Sequence, residues 1–166
     1  MITIAEAEIG DIASLKHVLA ATWHDSYRAF LSDESIQRVT SEWHTPEILR
    51  KEIEERGTYS GIAKTEQGEI VGMITARERD DLLVVSRLYV LPSYQRRGIG
   101  SRLLNASYSM FPETTSVQLE VEEQNSSGRA FYRKLGFMEV GRRSDDVFGT
   151  ALHSIIMERR ILRVPP

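Results

Sequence analysis

The stretch Leu88-Tyr89-Val90-Leu91-Pro92-Ser93-Tyr94-Gln95-Arg96-Arg97-Gly98-Ile99-Gly100-Ser101 constrains the fold more than any other part of the chain. An apolar run ends at a proline, a short basic turn with two glycines follows, and a helical pattern begins at Ser101-Arg102-Leu103-Leu104. A strand that passes through such a turn into a helix points several unpaired backbone N–H groups, and the positive end of the helix dipole, at one place; phosphate binds there. Gly98 and Gly100 lack a Cβ, so backbone can approach a ligand closely and take positive φ. The stretch reads either as a tight strand-to-helix connection or as the cradle of a diphosphate-bearing cofactor.

A second motif bears on that choice. Asn125-Ser126-Ser127-Gly128-Arg129-Ala130-Phe131-Tyr132-Arg133-Lys134-Leu135-Gly136-Phe137 directly follows the strand-like Val117-Gln118-Leu119-Glu120-Val121-Glu122. The two motifs in this order resemble the acetyl-CoA-binding signature of the GCN5-related N-acetyltransferase (GNAT) family, most densely from Val71 to Phe137. The resemblance implies the acyl-CoA N-acyltransferase fold. In it two parallel strands splay and the pantetheine arm inserts like a missing strand against the backbone of Leu88, Tyr89 and Val90. Gln95, Arg96, Arg97, Gly98, Ile99, Gly100 and Ser101 would then cradle the pyrophosphate. Asn125 either meets the cofactor arm or ties the strand end to the next helix.

The element order supports such a sheet. Ile2-Thr3-Ile4 reads as a strand, and Asp11 as the cap of a helix whose apolar positions Ile12, Leu15, Val18, Leu19 and Trp23 fall at helical spacing. Asp33 and Glu34 open a second helix, and Thr45-Pro46-Glu47 a third that stops at Gly57. Ser60 to Thr65 and Glu69 to Arg77 form a hairpin around Glu66-Gln67-Gly68, and Leu82 to Leu91 is the next strand. A helix from Ser101 to Met110, a strand from Val117 to Glu122, and a helix from Ser127 to Lys134 capped by Gly136 follow. Phe137 to Gly141 and Ala151 to Arg159 close the sheet. The expected fold class is therefore α/β (α+β), a mixed, mostly antiparallel sheet with one parallel pair, in a single domain over residues 1–166.

Composition narrows the function. The chain has no cysteine, which excludes thiolate chemistry, and a net charge of −3, which disfavours nucleic acid as a partner. No apolar run reaches the roughly 18 residues of a membrane span, and the N-terminus lacks a secretory pattern, so a cytoplasmic location is expected. His17, His24, His44 and His153 show no ligand spacing, so no metal site is expected.

Acyl transfer from a thioester to an amine needs a neutral amine, a donor to the oxyanion and a proton for the departing thiolate. By resemblance, Tyr132 is the first choice for the last role and the Val90 N–H for the second; packing of Tyr132 beside Phe131 is the plain alternative. Gln118, Glu120 and Glu122 alternate with Val117, Leu119 and Val121, so they share one strand face. Glu120, expected to lie deepest on it, is the candidate base, with Glu122 its rival and a merely solvated face the plain alternative. Where relatives often carry an acid, before Leu88-Tyr89-Val90, this chain has Arg87. Trp23 and Tyr27, at i and i+4, share a helix face that suits either the core or cation–π reception of an alkyl ammonium. No Ser-His-Asp or nucleophile-elbow pattern is present, which favours direct transfer in a ternary complex.

The expected activity is transfer of acetyl from acetyl-CoA to a primary amine of a small, polyamine-like molecule. The alternatives are acetylation of a protein N-terminus or lysine, and a non-catalytic acyl-CoA sensor. Relatives often dimerise through their C-terminal strands, so a homodimer is within the resemblance.

Overall fold

A computed structural model describes residues 1–162 of the protein. The chain runs through β1 (Ile2–Glu6), α1 (Ile12–Tyr27), α2 (Asp33–Glu42), α3 (Pro46–Glu54), β2 (Thr58–Thr65), β3 (Ile70–Arg79), β4 (Leu82–Val90), α4 (Ile99–Met110), β5 (Ser116–Glu122), α5 (Ser126–Lys134), β6 (Met138–Val147) and β7 (Thr150–Arg160). The strands form one seven-stranded sheet in the order β1-β2-β3-β4-β5-β7-β6. Among the described residues only β4 and β5 are parallel; every other neighbouring pair is antiparallel.

Local chemistry sets the helix starts. Ser32 and Thr45 accept the backbone N–H of Ser35 and Ile48, with Pro46 in the first turn of α3, where a missing N–H costs nothing. Asp11 departs from expectation. It accepts the Glu8 N–H at 2.9 Å within a 3₁₀ turn and makes no cap bond to α1. The apolar stripe of α1 is nonetheless buried as its spacing requires.

Side-chain alternation places helices on both sheet faces. A Cβ on Gly72 would meet Leu103 of α4 at 3.3 Å, and Val90 lies on the same face; Tyr89, one residue back on β4, points the other way and packs with Trp23 of α1. The main core joins Leu15, Leu49, Ile62, Met73, Leu83, Leu103 and Met157. A smaller cluster of Trp23, Leu31, Ile36, Val39, Val147 and Leu152 ties α1 and α2 to the tip of the β6–β7 hairpin.

Two of the boundaries that differ from the sequence reading have a clear physical reason. Helix α4 begins at Ile99 rather than Ser101, because Gly98 supplies the left-handed residue that turns the chain into it. Strand β6 runs to Val147, well beyond Gly141. It lies at the sheet edge, where Arg142 and Arg143 ion-pair with Glu123 and Asp145, and Asp146 accepts the Gly149 N–H, so no apolar alternation marks it.

Candidate active site

The site begins where the parallel pair comes apart. Residues Leu82 to Val85 pair with Ser116 to Leu119, and there the β4–β5 ladder ends. Strand β4 continues along β3 as far as Val90, and β5 along β7 as far as Glu122, so each strand is held on its far side only. A bulge drives the separation. Thr75 faces Arg87 and Ala76 faces Val85, which leaves Ser86 as an extra residue that bends β4 away. The β5-facing edge of Leu88, Tyr89 and Val90 thus has no strand partner, and an extended amide-bearing chain can complete it.

At the end of this gap the loop before α4 exposes a run of donors. Among the described residues, the backbone N–H groups of Arg96, Arg97, Gly98, Ile99, Gly100 and Ser101 donate to no protein acceptor; the first bond of the helix is Arg102 N–H to Gly98 O at 3.1 Å. Gly98 has φ +75° and Arg96 φ +58°, so successive amides turn inward as in an anion-binding nest. Gly100 serves differently: it lies inside α4, and a Cβ there would meet the Phe131 ring at 3.1 Å. It lets α4 and α5 approach. Gln95 caps the Val90 carbonyl at 3.0 Å, and Arg97 donates to Ser93 O at 2.9 Å while lying over the Tyr94 ring.

From α5 come Asn125 and Tyr132. Asn125 Oδ1 accepts the Gly128 N–H at 2.9 Å and caps the helix, tying it to the end of β5. Tyr132 is 9% exposed, with its ring against Phe131 and Phe137. Burial, then the neighbouring Tyr89 and Tyr108, push its phenol far above the ordinary 10.0, so it holds its proton.

The opposite wall is aromatic. Trp23 and Tyr27 stack at 4.2 Å between centroids. Tyr89 joins them from β4, and the Tyr27 phenol is raised by burial and then by Tyr89, Glu122 and Tyr132, so three polar groups converge around it. The Trp23 indole N–H is buried without a hydrogen-bond partner, yet it faces the Tyr89 hydroxyl closely enough to offset part of the burial that raises that phenol.

The carboxylates of β5 reverse the expected order. Glu120 is exposed and ion-paired to Arg143 at 3.3 Å, whereas Glu122 is only 4% exposed and accepts the N–H groups of Gln124 (2.6 Å) and Asn125 (3.1 Å). Glu122 lies where the β5–α5 turn closes over the strand end; Glu120 looks out toward the β6–β7 hairpin. Arg87 forms an ion pair with Glu52 of α3 at 2.5 Å. Beside it His44 is buried, and burial with Arg87 and Lys16 lowers its pKa to about 3. Neither Glu52 nor His44 carries a sequence signal that places it here; only the packing of α3 on the sheet does.

Among the described residues, no group of three His, Asp or Glu side chains is arranged to hold a metal ion, and no helix is long and apolar enough to cross a membrane.

Similarity to known proteins agrees with this geometry. The chain belongs to the GNAT acetyltransferases: residues 27–149 match the family model described as an acetyltransferase (GNAT) domain. It is 28% identical over 141 residues to a spermidine N(1)-acetyltransferase of Thermoplasma acidophilum, covering 82% of this chain and 88% of that one. It is 44% identical over 59 residues to the N-alpha-acetyltransferase RimI of Mycobacterium tuberculosis, covering 36% and 37% of the two chains. The crystal structure of the PaiA N-acetyltransferase from Thermoplasma acidophilum in complex with coenzyme A superposes with a TM-score of 0.83 at 26% identity, over 97% of this chain and 99% of that one. The protein is thus an acetyl-CoA-dependent N-acetyltransferase, and the parted strands with the free amides after them fit that cofactor.

Proposed function

We propose that this enzyme acetylates a primary amine of a small cationic molecule of the polyamine type, by direct transfer in a ternary complex within a single cytoplasmic domain. The observation that carries the choice of acceptor is the convergence of the Trp23–Tyr27 stack and Tyr89 with the buried carboxylate of Glu122. Such a surface draws an alkyl ammonium by cation–π attraction of roughly 0.5–2 kcal/mol. The spermidine acetyltransferase relative, matched over most of both chains, supports the same class.

Acetyl-CoA supplies a thioester-activated acyl group. In this reading the amides of Arg96 to Ser101, with Gln95 and the Arg96 and Arg97 side chains, hold its pyrophosphate. Leu88, Tyr89 and Val90 hold the pantetheine through their backbone, and the amide nitrogen of Asn125 adds to that grip. The Val90 N–H steadies the oxyanion. Glu120, through water, takes the proton of the ammonium, and the Tyr132 hydroxyl gives one to the departing thiolate; a phenol that stays protonated at neutral pH suits the task. Edge strand β6, with Met138 and Val140 exposed, is the face offered for a homodimer.

Acetylation of a protein N-terminus is the second reading, favoured by the 44% identity to RimI over its short match. A thiol-release assay with acetyl-CoA decides between them. Turnover with spermidine and short diamines above that with peptides and amino acids supports the proposal, and the reverse order replaces it by the second reading. Saturable acetyl-CoA binding without turnover on any amine would mark a sensor.

A further inference from the structure

We propose that Glu122 selects acceptors carrying a second positive charge: its carboxylate pairs with the non-reacting ammonium of an alkyl diamine or polyamine while the reacting nitrogen faces Glu120. This rests on the acetyltransferase reading of the site and deepens it.

Glu122 is a buried anion without a cation. Among the described residues no Lys, Arg, His or terminal amine forms an ion pair with it, although Glu120, two residues away on the same strand face, has Arg143. Its two hydrogen bonds, from the Gln124 and Asn125 amides, both end on Oε2 and leave Oε1 uncommitted. A carboxylate taken out of water is costly unless a charge or several donors compensate it, and two backbone amides compensate only part.

The surroundings are built for an ammonium. Tyr27 of α1 and Tyr89 of β4 pack against the same cluster as Trp23, which stacks on Tyr27 and is 6% exposed. The cation of β4, Arg87, is already neutralised by Glu52. The cluster therefore presents ring faces and one unpaired negative charge. Glu120 and Glu122 are one strand repeat apart, roughly 6.6 Å along β5, a span comparable with the nitrogen spacing of a short alkyl diamine. A monoamine of equal length would leave Glu122 unpaired.

The test compares 1,4-diaminobutane with n-butylamine as acceptors, for the parent protein and for Glu122→Gln. Glutamine keeps a side-chain oxygen for the Gln124 and Asn125 amides, and the thermal shift on adding CoA checks that the cofactor site is intact. The parent is expected to favour the diamine by about tenfold or more in kcat/KM, and Glu122→Gln to bring that ratio close to one. A parent without diamine preference, or a variant in which both amines lose rate equally, overturns the proposal; the first result needs no variant to fold. If no amine is acetylated, the acetyltransferase reading fails by itself, and calorimetry of 1,4-diaminobutane into the CoA-saturated protein takes over. Binding that Glu122→Gln weakens about tenfold supports the pairing, and no binding overturns it.

Discussion

Tyr132 and His44 show how burial alone gives a residue its chemical character. The Tyr132 phenol is raised chiefly by desolvation, so it remains a neutral donor through any pH at which the enzyme would be assayed. Tyr132→Phe removes the hydroxyl but keeps the ring contacts with Phe131 and Phe137. Turnover should fall by about 100-fold while CoA affinity, read by calorimetry, stays nearly unchanged. Equal turnover would confine Tyr132 to packing. His44 is lowered from 6.5 to about 3 by burial, Arg87 and Lys16. Its unfolded form binds a proton below pH 6.5 and its folded form does not, so its contribution is whole above pH 6.5 and declines as the pH falls toward 3. At about 1.4 kcal/mol per pH unit, the protein should lose roughly 2 kcal/mol between pH 6.5 and 5. Urea midpoints should show this loss in the parent and a smaller one in His44→Gln.

At the scale of elements, the two glycines of the α4 entry separate conformation from space. Gly98 has open room for a methyl group but φ +75°, so Gly98→Ala should cost about 1 kcal/mol and weaken CoA binding through the displaced amides. Gly100→Ala meets Phe131 at 3.1 Å, and Phe131→Leu should relieve it while leaving Gly98→Ala unrescued. Paired denaturation and CoA titrations check this. The same stretch shows what sequence makes legible. Proline, basic turn and glycines announce the strand–loop–helix unit because its backbone conformation is written into residue types. The exact helix start is not legible there, because two glycines two residues apart suit a turn equally, while only Gly98 lies in it and Gly100 is already helical. The far half of edge strand β6 is not legible either, because an exposed strand held by ion pairs has no apolar period. Alternation along β5 gave the shared face of Glu120 and Glu122, but which is buried depends on α1 and the β5–α5 turn, remote in sequence.

For the whole molecule, the sheet works as a clamp: β3 and β7 hold β4 and β5 from outside, a bulge parts them, and six backbone amides at the end of the gap lack acceptors among the described residues. The aromatic wall from α1 closes one side and α5 the other. Much of the strand–loop–helix unit at the end of the gap could be read from the sequence, because backbone and glycine make it. The wall opposite could not: Glu122 comes to Tyr27 and Tyr89, and Glu52 and His44 to Arg87, only through tertiary packing. Amide hydrogen exchange with and without CoA tests this design most directly. The amides of Arg96 to Ser101 should exchange rapidly in the free protein and slow by about tenfold or more when CoA saturates it. Unchanged exchange at these six positions, with protection appearing elsewhere on the protein, would contradict it.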